Sequence, residues 1–171
     1  MARPLPNEAE LYQKIRDENI SVHPVVWDTM YHYLGDYIST INLIVSFFIE
    51  QNEPVSLEDA RRILDYTNLI KEAVNKILHP ERILDDDGRL KTIRQDDMAL
   101  HPIIKEFFTH HIGNDTQMIN FVTSFYLDPI DEQPVPVDDA KKILVQAVSM
   151  KEFLDKLREA TLVKVQKSWH D

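Results

Sequence analysis

The chain has no cysteine, only three glycines and no excess of basic residues. Each shortage excludes something. Without cysteine there are no disulfides, no thiolate nucleophiles and no cysteine-based zinc or iron–sulfur sites. So few glycines disfavour a turn-rich β fold and suit helices. The 19 Lys and Arg against 29 Asp and Glu leave a net charge of −10. Phosphate recognition needs clustered cationic side chains, so nucleic-acid binding is not expected, nor is binding to an anionic membrane surface. The longest apolar run, INLIVSFFI, is far short of the roughly 20 residues that a membrane span needs, and it contains Asn42 and Ser46. The opening MARPLPNEAELYQ has no apolar core of signal-peptide length, so a cytoplasmic location is expected.

What is present is a repeat. His23-Pro24, His32, Gly35, Ile41-Asn42 and Ser46-Phe47 return as His101-Pro102, His110, Gly113, Ile119-Asn120 and Ser124-Phe125, all at an offset of 101 − 23 = 78. PVSLEDARRIL from Pro54 returns as PVPVDDAKKIL from Pro134, at an offset of 134 − 54 = 80. The two extra residues fall between Pro129 and Gln133, in a connection where insertion costs little. The chain therefore reads as one domain over 1–171, with repeats at 23–78 and 101–158, a short N-terminal helix at about 7–19 and a connector over 79–100.

Helical periodicity runs through both copies. Asn7 caps the N-terminal helix, and Leu11 and Ile15 place it on the rest of the protein. His23 and His101 stand at cap positions, each followed by proline at the first helical position. In the first long helix, Val26, Met30, Tyr33, Tyr37, Ile41, Ile44 and Phe48 form the expected apolar stripe. Ser56, with Asp59 three residues on, caps the second. Asp85–Gly88 is a turn, flanked by segments that can pair as a small hairpin. The expected architecture is all-α: a four-helix bundle built from two tandem helical hairpins joined by a long crossover.

Three constellations are candidate sites. In the second copy, His111 and Asp115 replace Tyr33 and Tyr37 on the core stripe. A His–Asp pair on an apolar face must be satisfied, and the four residues together would suit a small ligand. Asp28 with His32, and Glu106 with His110, set a carboxylate and an imidazole one turn apart. Brought together they would suit Zn, Fe or Mn, so a metal ion is a candidate cofactor. Their angular position opposite the stripe instead favours two surface pairs. Gly35, Asn42 and Ser46, with Gly113, Asn120 and Ser124, form a stripe of small and amide residues suited to a helix interface. The two first helices would pack along it, or a partner would.

No phosphate loop, HExxH, EF-hand or nucleophile elbow is present. The primary expectation is a non-enzymatic helical interaction or scaffolding module whose partner is a protein or a second copy. The alternative is a metal- or small-ligand-binding bundle.

Overall fold

The computed structural model describes residues 7–79 and 100–170, with side chains described as far as residue 161. The expected turn at Asp85–Gly88 and its hairpin lie outside the described residues. Every named element is helical. They are α1 (Glu8–Asp17), α2 (Pro24–Asp28), a π-helical segment (Thr29–Leu34), α3 (Gly35–Glu50), α4 (Leu57–Leu78), α5 (Pro102–Tyr126) and α6 (Val137–His170). Helix α2, the π segment and α3 follow one another without a break.

The helix starts follow from local chemistry. Asn7 accepts from the Ala9 amide at 2.7 Å. His23 Nδ1 accepts from the Val25 amide and His101 Nδ1 from the Ile103 amide, both at 3.2 Å. The same cap thus opens both copies, and it requires an unprotonated Nδ1. Ser56 accepts from the Asp59 amide at 3.2 Å and donates to the Asp59 carboxylate at 3.1 Å. In the second copy Pro136 occupies that place.

Helix α3 packs against α4 and α6, and α5 packs against the same two helices. Helix α1 lies on α6. Contacts along the pairs fix their directions. Val55 and Val135 form an isolated antiparallel bridge, each amide donating to the other's carbonyl at 2.8 and 3.0 Å. Those two valines are the same position of the repeat, since 135 − 55 = 80. Reciprocal bonds between matched residues are what a twofold relation requires. The bridge brings the end of α3 to the start of α6. Lys151 on α6 reaches Ser39 on α3 at 3.3 Å further along, so the two helices run antiparallel. Asn120 donates to Thr67 at 3.0 Å, and Arg61 reaches Glu132 at 2.6 Å. Helices α4 and α5 are antiparallel by the same reasoning.

Burial follows the repeat closely. Val26, Met30, Leu34, Ile38, Ile41 and Val45 are buried, and so are their matches Ile104, Phe108, Ile112, Thr116, Ile119 and Thr123. The core stripe therefore passes through Leu34 and Ile38, not through Tyr33 and Tyr37. Positions i+3 and i+4 both lie near the stripe, and the aliphatic side chains take the interior. A tyrosine there would have to bury its hydroxyl. Where threonines replace aliphatics in the second copy, their hydroxyls find partners. Thr123 donates to the Ile119 carbonyl at 2.7 Å, and Thr116 to the Met150 sulfur at 3.4 Å. Full burial of one such aliphatic side chain stabilises by about 1.5–3 kcal/mol.

Candidate functional site

The four residues expected to form one ligand pocket divide into two groups. Tyr33 is 49% exposed, and its ring stands edge-on to His32. Tyr37 is half-buried and faces Tyr66 on α4, with ring centroids 6.0 Å apart. His111 and Asp115 lie elsewhere, on the flank of α5 that meets α6 and α1. The pocket expected from the tyrosines therefore does not form as proposed. The repeat equates their sequence positions, while their neighbours differ.

Around His111 a polar cluster is built from three elements. His111 Nε2 meets Glu8 Oε1 of α1 at 2.6 Å. Its ring stacks on Phe153 of α6, with centroids 4.7 Å apart and planes 10° apart. Phe107 lies on the same helix, nearly parallel, at 6.3 Å. Burial pushes the Asp115 carboxyl up, opposed by a hydrogen bond from Ser149 and by nearby His111, while Glu8 adds to the rise. One Asp115 oxygen, Oδ2, has no hydrogen-bond partner. Tyr12 of α1 is buried with an unpartnered hydroxyl. Its pKa is raised, first by burial and then by Glu8.

Tyr31 extends this cluster. It sits on the π segment, packed against Trp27 at 4.4 Å, and its ring lies 5.7 Å from the Arg158 guanidinium. Its hydroxyl is buried and has no partner of good geometry. Burial raises its pKa; nearby Thr161 and Arg158 oppose the rise, and Asp155 and Tyr12 add to it. The sequence did not single out Glu8, Tyr12 or Tyr31. The useful signal was the pairing of Leu11 with Ile15, which seats α1 and carries Glu8 and Tyr12 with it.

The metal expectation is corrected. Asp28, His32, Glu106 and His110 are all exposed. Among the described residues no three His, Cys, Asp or Glu come together as a metal would require. Each carboxylate–imidazole pair stands on its own outer helix face, and a single pair does not close a ligand set.

Within the chain, the small-residue stripe does not join the two first helices: α3 and α5 are not among the helix pairs that pack extensively. Asn42 accepts from Ser46 at 3.1 Å, and Asn120 accepts from Ser124 at 3.4 Å. Asn120 faces α4 through Thr67. No other helix of the chain comes close to the glycines: a Cβ on Gly113 would meet nothing within 4 Å, and one on Gly35 only the Met30 carbonyl at 3.9 Å.

What the stripe adjoins is more distinctive. One residue beyond each asparagine, Leu43 and Phe47 on α3 are 71% and 58% exposed. Their repeat matches, Phe121 and Phe125 on α5, are each 69% exposed. On α6, Val145 is 63% exposed and Val148 is also exposed. The antiparallel register set by Ser39 and Lys151 places Val148 one turn along, near the level of Leu43. Both crests therefore present large apolar side chains one turn apart, pointing away from the core.

No helix among the described residues is long and apolar enough to cross a membrane. In comparisons with known proteins, the chain matches no family model, no curated protein and no solved structure.

Proposed function

We propose that this chain is a non-enzymatic interaction module that self-associates through the two apolar crests, Leu43/Phe47 and Phe121/Phe125. In this reading it is a single four-helix bundle of two tandem hairpins, located in the cytoplasm. Support for the bundle comes from the Val55–Val135 bridge, the matched buried positions and the ring of packed helix pairs. The observation that carries the function is the crest itself. Scattered exposed apolar residues are ordinary on a protein surface. A pair of large ones, present at the same place in both copies, marks an association surface.

The second copy of the chain is the proposed partner because the crests are alike. An apolar crest on one molecule is complementary to that on the next. The net charge of −10 opposes such association at low ionic strength. Salt should therefore strengthen it by screening repulsion between copies.

Light scattering on the full chain tests this. The mass should exceed that of a monomer and should rise with protein concentration and with salt. Phe47→Glu with Phe125→Glu should return the protein to a monomer with its helix content unchanged, since both rings are largely exposed. A wild-type monomer across the whole concentration range would remove the basis for the proposal.

A further inference from the structure

We infer that α1 is a strap that opens on its own, fastened by the Glu8–His111 pair and loosened by the polar groups it covers. Three observations carry this. First, α1 is held from outside the main helix ring, by packing on α6. Leu11, Tyr12 and Ile15 are buried there, and the Glu8–His111 contact at 2.6 Å ties α1 to α5.

Second, the seat is incompletely satisfied. Among the described residues, the buried side-chain polar atoms without a hydrogen-bond partner are the Tyr12 hydroxyl, the Tyr31 hydroxyl and Asp115 Oδ2. Tyr12 belongs to the strap, Asp115 is one turn from the His111 that fastens it, and Tyr31 lies nearby on the π segment. The Tyr12 hydroxyl, carried by the strap itself, disfavours the closed state, and opening returns it to water. Among the described residues, no other buried side-chain polar atom lacks a partner.

Third, α1 is a short helix of 10 residues joined to the ring by a short connection. Asn19 ends it with φ 57°, a left-handed cap conformation that asparagine adopts readily, as Asn52 does after α3. Short elements held at the periphery open at lower free energy than the core. Opening would uncover the Phe107–His111–Phe153 stack, whose two phenylalanines are otherwise almost wholly enclosed.

Amide hydrogen exchange on the full chain tests the strap. In the wild type, amides of α1 should exchange through a smaller opening than those of α4. Glu8→Gln should speed α1 exchange about tenfold, the effect of losing one charge-assisted hydrogen bond, and leave α4 unchanged. Tyr12→Phe should slow it roughly fivefold, because it removes a buried unpaired hydroxyl. Exchange of α1 only together with the whole protein would overturn the inference. So would Glu8→Gln acting equally on every helix, or Tyr12→Phe leaving α1 as fast as before or faster. A monomeric wild type would count against the crests and leave these results unaffected.

Discussion

The first long helix of each copy begins alike, with a histidine cap and a proline, and buries the same six positions. Between those shared points the copies part. The first passes through a π-helical segment at Thr29–Leu34, whereas its match, 107–112, is regular α-helix. The first presents Tyr31 to Arg158, and the second presents His111 to Glu8 and Phe153. What the pair teaches is that packing constrains the inward face while the flanks are free to diverge. The polar chemistry of this protein has collected on those flanks, where α1 lies across one of them.

Substitutions at matched positions separate the inward face from the flanks. The largest effect is expected in the shared core. Leu34→Ala and Ile112→Ala should each destabilise by about 2–5 kcal/mol, because both side chains are fully buried. Tyr33→Ala, one residue away, should cost under about 1 kcal/mol. Urea denaturation measures all three. A Tyr33 effect as large as that of Leu34 would restore the stripe expected from the sequence.

That stripe shows what the sequence could and could not convey. The helix starts and the all-helical class are legible in the sequence, since they depend on caps, spacing and the scarcity of glycine. Val26, Met30 and Ile41 were placed correctly for the same reason. The choice between Tyr33 and Leu34 was not legible, because i+3 and i+4 both fall on one side of a helix. The sequence places His111 and Asp115 on the core stripe, whereas the buried stripe runs through Ile112 and Thr116 and leaves them on its flank. Their partners, Glu8 on α1 and Ser149 on α6, depend on tertiary packing that periodicity does not encode.

Intermediate effects should come from the links between copies. Val55→Pro removes the amide that donates to Val135, and loss of that bond should cost about 1–3 kcal/mol. Thr67→Ala leaves the Asn120 amide without its hydroxyl partner and should cost about 0.5–1.5 kcal/mol. The matched position in the other copy is already alanine, Ala147, so the same bond is not available to Asn42 there.

The copies should also differ in their response to pH. The Asp139 carboxyl is held below the usual range, first by the hydrogen bond from Tyr126 and then by Lys142. A carboxyl lowered by folding contributes stability that is present above its unfolded pKa and lost as pH falls through its folded one. Tyr126→Phe should therefore reduce the loss of stability in acid. Asp115 has the opposite sign. Its raised carboxyl favours the folded state below the unfolded pKa, and that contribution disappears as pH rises through the folded value. Asp115→Asn should stabilise the protein near neutral pH and change little in acid. Denaturant midpoints at about pH 7 and about pH 3 separate the two.

The smallest effect is expected at Gly113, where a Cβ has open space. Gly113→Ala should stabilise by about 0.5–1 kcal/mol, through restriction of the unfolded chain. Destabilisation would show that the glycine is needed for an approach by a second chain.

If the exposed crests mediate association, substituting them one at a time should weaken it. Light scattering on Phe47→Glu and on Phe125→Glu, each as a single variant at equal concentration and salt, should give masses below that of the wild type with folding unchanged. Two single variants with the wild-type mass would contradict the account and leave the crests as ordinary surface.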